Sequence, residues 1–140
     1  MEKPIIATTL SGLFLKQEPW DKAHILWYEK AAKRLNDKSV KEWAGRPDYF
    51  KGVDEIMQRL YPNLSEKERT FKAREMFFDS VLEYIKEHPK VKNEQIIKYF
   101  KSLKKDYHLA LITTNTKSAL ERILSITNLE NLFDIIEKSK

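Results

Sequence analysis

The sequence predicts an α/β fold in which a small parallel sheet is interrupted by a block of helices. Three apolar, β-branched runs, at residues 4–10, 107–112 and 133–136, have the length and composition of buried strands. Between the first and second runs, apolar residues recur at three- and four-residue intervals, which indicates amphipathic helices. Strands that alternate with helices pair in parallel through right-handed crossovers. The predicted fold is therefore a truncated Rossmann-like parallel sheet with an inserted helical subdomain.

The helical block begins near Pro19 and ends before Pro89. Its first helix has one apolar face, formed by Trp20, Ala23, Trp27, Ala31 and Leu35. Further helices are predicted at residues 40–44, which are followed by Gly45 and Pro47, and at residues 49–61. A last helix begins at the capping box of Ser65 and Glu68, and its apolar residues are Phe71, Met76, Phe77, Val81, Leu82 and Ile85. Two more helices, at 93–104 and 117–126, flank the second strand. This order predicts core segments at 1–16 and 90–140, separated by a helical subdomain at 17–89.

Composition supports a helix-rich globular protein and excludes several classes of site. The 140 residues are 41% hydrophobic and 34% charged, with only 3 glycines, so a packed core can form. Cysteine is absent, which excludes disulfides, thiolate zinc sites and a cysteine nucleophile. No apolar run approaches the roughly 20 residues that span a bilayer, and the apolar N-terminal stretch fits a buried strand better than a signal peptide. We therefore expect no membrane partner and a cytoplasmic location.

The net charge of +5 does not by itself indicate a nucleic-acid partner. Lysines alternate with glutamates along the predicted helices, as expected of solvated helix faces. A nucleic-acid binder concentrates its charge in one patch with interleaved aromatic residues. Trp20 and Trp27 fit the helical core better than a base-stacking platform, and no metal-ligand spacing links His24, His88 and His108. Neither Asp48 nor Asp54 has an identifiable partner in the sequence.

Two polar turns follow the first and second strands. They comprise residues 9–12, which include Thr9, Ser11 and Gly12, and residues 113–116, which begin with Thr113 and Thr114. In open parallel sheets, ligands bind at the carboxyl ends of the strands. The two turns are therefore the candidate site.

Residues 93–136 resemble the haloacid dehalogenase (HAD) superfamily in their order of helix, strand, hydroxyl-bearing turn, helix and strand. The resemblance implies that a Thr or Ser at the end of the second strand binds a phosphoryl group. Thr113 holds that position, and Thr114 holds it if the register slips by one. The alternative for Thr113 is a structural turn residue that caps the following helix. The helix from Trp20 to Arg34 resembles the first helix of a cap inserted after strand one.

The family's first motif, D-x-D-x-[TV], aligns less well. It places Thr9 and Ser11 at the two Asp positions, Gly12 next, and Leu13 at the last position. The first Asp is implied to be the nucleophile and a Mg²⁺ ligand, and the second to be the general acid and base. A hydroxyl requires an adjacent base to become a nucleophile, and Mg²⁺ prefers anionic oxygen ligands. The family's Lys and acidic motifs would fall after residue 140.

Two functions follow as hypotheses. The first is a catalytically degenerate HAD-like pseudoenzyme, acting as a binding or interaction module, with a residual phosphate site at Thr113, Thr114 and Gly12. The second is a HAD-type phosphatase acting on small phosphorylated metabolites, either weak or completed by another chain. No metal or cofactor is expected, except Mg²⁺ if the family activity is retained. The apolar first strand should lack a neighbour on one side. We expect another chain, a second copy in a homodimer, or a rearranged cap to cover that edge.

Overall fold

The structure, a computed structural model, describes residues 2–45 and 49–138. The chain divides into two compact units, a helical unit (Pro19–Tyr84) and an α/β unit (Met1–Glu18 and Ile85–Lys140). Its elements follow in the order β1 (Ile5–Thr8), α1 (Glu18–Leu35), α2 (Tyr49–Leu60), α3 (Glu66–Glu87), α4 (Glu94–Leu103), β2 (His108–Thr113), α5 (Lys117–Thr127) and β3 (Ile135–Lys138), with 3-10 helices at Lys38–Gly45 and Pro89–Val91.

The α/β unit contains a three-stranded parallel sheet in the order β1-β2-β3. Its register places Thr8 beside Leu111 and Thr113 beside Lys138. Each strand is connected to the next through helices, as parallel pairing requires. The predicted α/β class, with a small Rossmann-like parallel sheet and helices after the first strand, is therefore confirmed.

The strand boundaries differ from the prediction where backbone groups find other partners. The first strand was expected to reach residue 10 but ends at Thr8, because the Leu10 carbonyl accepts a hydrogen bond from Phe14 N at 3.1 Å within a turn. The third strand was expected over 133–136 but begins at Ile135. Phe133 packs instead against the Phe14 ring, with the ring centroids 5.2 Å apart. Apolar composition alone did not distinguish these turn residues from strand residues.

The two faces of the sheet are covered to different extents. Leu109 and Leu111 share one face, since side chains alternate along a strand, and both are fully buried. Ile5, Ala7 and Ile112 lie on the opposite face, where Ile5 is 59% and Ile112 is 39% exposed and Ala7 is also exposed. Both crossovers step in the same direction across the sheet, so right-handed connections place α4 and α5 on one face. The described residues leave the other face largely uncovered.

The helical unit has its own apolar core. Its buried members are Trp27, Tyr28, Ala31, Ala32, Val40, Ile56 and Met57. A Cβ atom added at Gly52 would lie 3.0 Å from the Tyr28 hydroxyl, so the absence of a side chain there allows α2 to approach α1 closely. Trp20 is also buried, in agreement with its assignment to the core rather than to a stacking surface.

Three expectations for the helical unit need correction or lie outside the described residues. Phe71 was placed on an apolar helix face, but it is 59% exposed because the face that packs is narrower than the sequence pattern, and Ile25 on α1 is likewise 46% exposed. Asp54 does have a partner, since it accepts a hydrogen bond from Gln58 Nε2 at 3.0 Å. Pro47 and Asp48 lie outside the described residues. None of the described helices combines the length and apolar character needed to cross a membrane.

Candidate functional site at the strand ends

The carboxyl ends of β1 and β2 lie side by side. Because Thr8 pairs with Leu111, the segments that follow these strands leave the sheet at the same end of the strands. We call residues 9–12 the β1 turn and residues 113–116 the β2 turn. Parallel pairing therefore brings the two predicted polar turns to the same end of the strands, as a ligand site at strand ends requires.

The β1 turn is held by backbone hydrogen bonds. Gly12 N donates to Leu15 O at 2.6 Å, and Gly12 has φ +82°, in the left-handed region that favours glycine. Asn93, just before α4, fixes the next residues: its Nδ2 donates to Leu13 O at 2.5 Å and its N donates to Phe14 O at 2.9 Å. Asn93 was not singled out in the sequence. Its structural role could not be seen there, because it acts on a segment about 80 residues away.

The β1 turn carries hydroxyl groups and no carboxylate. Thr9 is exposed and Ser11 is half-buried. Within residues 2–45 and 49–138, neither side chain forms a hydrogen bond, so no base is positioned to take a proton from either hydroxyl. A threonine or serine without such a base is a poor nucleophile at neutral pH. In the described residues, neither hydroxyl is paired with a side chain that would activate it.

The β2 turn is organised by Thr113 and Asn115. The Thr113 side chain is buried, and its Oγ1 accepts hydrogen bonds from Asn115 N at 3.0 Å and from Asn115 Nδ2 at 2.8 Å. Both bonds occupy the acceptor side of the hydroxyl, which keeps its own proton to donate. Thr114, the alternative phosphate-binding residue, is exposed. Of the two, Thr113 is the one that its neighbours hold in position.

Helix capping falls to a different threonine than expected. Thr116 Oγ1 accepts a hydrogen bond from Ala119 N at 3.3 Å, and its carbonyl accepts one from Leu120 N at 2.9 Å. Thr116 is thus the N-cap of α5, and the expectation that Thr113 could cap this helix is wrong. The sequence signal was present, because a Thr directly before an apolar-periodic run is a typical N-cap.

The strand ends do not fit a Mg²⁺ ion. Their side-chain oxygens belong to hydroxyls and an amide, whereas Mg²⁺ is usually held through one or two carboxylates. In the part of the chain that the structure describes, no group of three or more His, Cys, Asp or Glu side chains could hold a metal. His24 belongs to the helical unit, whereas His88 and His108 belong to the α/β unit.

A separate ionic cluster lies at the opposite end of the strands, where β2 begins. Asp134 Oδ2 accepts a hydrogen bond from Leu109 N at 2.9 Å, and this bond is the main reason that the pKa of Asp134 lies below its usual range. Lys104 Nζ and His108 Nδ1 are each 3.8 Å from the Asp134 carboxylate and lower its pKa further. The cluster joins the start of β2 to the turn before β3, which is a structural role.

Three solved structures are similar to this chain in fold. A HAD-hydrolase of Bacillus subtilis, solved bound to magnesium, superposes with a TM-score of 0.55 at 11% identity over 99% of this chain and 66% of that chain. A protein described as a β-phosphoglucomutase from Thermotoga maritima gives a TM-score of 0.50 at 22% identity, over 96% of this chain and 61% of that one. A haloacid dehalogenase-like hydrolase of Streptococcus pneumoniae gives 0.50 at 17% identity, over 99% and 61%. At these identities the likeness concerns the fold.

The chain spans 61% to 66% of the length of these solved structures. A comparison with curated protein sequences gives no significant match. The profile of the haloacid dehalogenase-like hydrolase family matches residues 21–140, a span that begins after β1 and its turn. The match covers most of the chain and agrees with the fold described above. This chain is therefore a member of the haloacid dehalogenase-like hydrolase family.

Proposed function

We propose that this chain is a catalytically degenerate member of its family that acts as a binding or interaction module. The observation that carries the proposal is the chemistry of the β1 turn. Thr9 and Ser11 stand where the family resemblance places two carboxylates, and neither hydroxyl has a base beside it. Without those carboxylates, the strand ends lack both a ready nucleophile and a proton donor that works near neutral pH.

The β2 turn supports retained binding of phosphorylated small molecules. Asn115 donates two hydrogen bonds to Thr113 Oγ1, which orients the hydroxyl and leaves its proton available for a phosphate oxygen. The turn also leads into α5, and the positive end of a helix dipole favours a nearby anion. Gly12, across the strand ends in the β1 turn, has no side chain to obstruct a ligand, and a Cβ placed there would meet no atom within 4 Å.

The bare face and free edge of the sheet support the interaction part of the proposal. β1 pairs with β2 on one side only within the described residues, and Ile5 and Ala7 are exposed on it. An exposed apolar edge strand is a site of pairing with further polypeptide. In this proposal a partner chain, or a second copy of this chain, adds to the β1 edge and covers the face that carries Ile112.

The alternative function is a HAD-type phosphatase that acts on small phosphorylated metabolites. Family membership favours it, since the matched family is one of hydrolases. Because the described strand ends do not provide the ligands for Mg²⁺, the activity would be weak or would depend on residues supplied by another chain.

Phosphatase activity distinguishes the two functions. The parent protein and the double variant Thr9→Asp, Ser11→Asp would be assayed on p-nitrophenyl phosphate with Mg²⁺. We expect the parent to be inert, and a gain of activity in the variant would show that only the carboxylates had been lost. Parent turnover that depends on Thr113 would contradict the proposal and establish the alternative. If both proteins are inert, the binding-module function is strengthened and its phosphate site is tested directly.

That direct test uses inorganic phosphate and amide chemical shifts. The parent should show saturable shifts at residues 113–118, and Thr113→Val should lose them because the donated proton is gone. Thr114→Val, a change of the same type at the exposed neighbour, is the matched control and should keep them. Equal behaviour of the two variants would remove Thr113 from the proposed site.

A further inference from the structure

The helical unit contains a cavity of about 580 Å³ between α1, α2 and α3. We call it the helical cavity. Its walls are mainly apolar and include Trp27, Met57, Ala73, Phe77 and Phe78. Pockets that hold small molecules have volumes of roughly 300–1,000 Å³, with apolar walls and a few polar groups that fix the ligand. In size and in the character of its walls, the helical cavity therefore matches a small-molecule site.

One polar group in the wall is incompletely paired. Arg69, on α3, lines the cavity, and its Nη1 donates a hydrogen bond to the Leu64 carbonyl, which anchors the guanidinium group. Arg69 Nε is buried and has no hydrogen-bond partner among the described residues, the one buried side-chain nitrogen or oxygen of which this is true. Buried polar groups in native proteins are almost always hydrogen-bonded, and an exception calls for an explanation. The unpaired Nε therefore identifies Arg69 as a guanidinium group whose hydrogen-bonding capacity is not filled by the described residues.

The charges around the cavity favour a ligand group with one negative charge over a group with two. Arg69 and Arg74 line it together with the carboxylates of Asp54 and Glu66. Burial favours the neutral form of His24, because it lowers the pKa of the imidazole by more than the nearby Asp21 raises it. A dianionic phosphate would be repelled by the two carboxylates, whereas a single carboxylate can satisfy one anchored guanidinium group. The lining thus favours a ligand that has an apolar chain or ring system and a single carboxylate group.

We propose that the helical cavity binds an amphipathic carboxylate, with its apolar chain against the aromatic wall and its carboxylate on the guanidinium group of Arg69. This site is separate from the strand-end turns, and it does not depend on whether the phosphate site at Thr113 is retained. The ligand class is that of medium-chain fatty acids and similarly built aryl-alkyl acids.

Calorimetric titration with decanoate tests the site, with the uncharged 1-decanol as the matched ligand. Decanoate should bind with one site per chain, and its amide shifts should map to residues on α1, α2 and α3. Arg69→Leu should weaken decanoate binding by about tenfold or more, the usual effect of losing a hydrogen bond between charged groups. Arg74→Leu removes a guanidinium from the same wall and is the matched control, with an expected effect of less than about threefold.

Three results would overturn the proposal. They are an absence of decanoate binding below its micelle concentration, equal binding by the parent and Arg69→Leu, and equal binding of decanoate and decanol. If Arg69→Leu does not fold, Ala73→Leu replaces it, because this change fills part of the cavity and leaves Arg69 intact. Decanoate binding should then be lost, and undiminished binding would place the ligand elsewhere.

Discussion

The β2 turn and the helical cavity differ in how their buried polar side chains are paired. In the β2 turn, Thr113 is bonded to Asn115 and Thr116 to Ala119, so the side-chain groups that shape the turn have partners within it. In the helical cavity, a buried guanidinium nitrogen of Arg69 has none among the described residues. The family resemblance indicates the strand ends, yet the buried side-chain nitrogen that has no partner among the described residues lies in the helices. A position that matches a family motif and a buried polar group without a described partner are thus separate indications of function.

The aromatic core beside the cavity should give the largest effect on stability. Trp27 is 1% exposed, and its Nε1 donates to Ala73 O at 3.3 Å. Trp27→Ala should lower the free energy of unfolding by about 3–5 kcal/mol, because it removes a large buried side chain next to a space that is already open. Urea unfolding measures the change. Ile25→Ala, on the exposed side of the same helix, should cost no more than about 0.5 kcal/mol.

A small loss from Trp27→Ala would mean that the helical unit repacks easily. The cavity would then be a soft region rather than a preformed site, and the contrast with the strand ends would weaken. If amide protection from hydrogen exchange is lost in residues 19–84 alone, the helical unit opens by itself.

The β2 turn should give an intermediate effect. Thr113→Val keeps the shape of the side chain but removes the acceptor for two donors of Asn115. Unfolding free energy should fall by about 1–3 kcal/mol, the usual effect of leaving partly buried donors unpaired. Thr114→Val, at the exposed neighbour, should be close to neutral in the same urea measurement. If the two variants are equally stable, the β2 turn is less tightly organised than its hydrogen bonds indicate.

The smallest effect on stability should come from the ionic cluster around Asp134, at the end of the sheet where β2 begins. The pKa of Asp134 is lowered in the folded state, mainly by the hydrogen bond from Leu109 N. Its stabilisation is therefore fully present above the ordinary pKa of an unfolded Asp carboxyl and is lost as the pH falls through the lower folded pKa. Because the carboxylate is well exposed, solvent screening keeps the effect small.

The difference between parent and Asp134→Asn in urea midpoint should therefore shrink as the pH is lowered from about 6 to about 3. Glu130→Gln, at an exposed position in the same turn region, controls for the loss of one negative charge. A difference that stays constant with pH would mean that the Asp134 carboxylate contributes through its shape alone.

Much of the fold followed from local patterns. The three strands and the helices at residues 93–104 and 117–126 were predicted within about two residues, because apolar periodicity reflects local backbone geometry. The exposure of Phe71 and the late start of β3 were not predictable in this way. Whether an apolar residue is buried depends on which distant surface reaches it.

The candidate site was predictable only in its composition. The hydroxyls of Thr9, Ser11 and Thr113 can be read from the chain, and so can the absence of any Asp before Asp21. Their hydrogen bonds could not be read: Asn115, rather than a ligand, occupies the acceptor side of Thr113, and Thr116 takes the capping role. Several neighbouring threonines are equivalent as sequence, and only backbone geometry distinguishes them.

By itself, the sequence determined the order of strands and helices and the hydroxyl-only chemistry of the strand ends, since both depend on residue types at short spacing. Only the tertiary structure decided which sheet face is left exposed, and which buried nitrogen is left without a partner, by the described residues. The first depends on the direction in which two crossovers step, and the second on how α1, α2 and α3 pack around Arg69. Both are relations between residues far apart in the chain, which local periodicity does not encode.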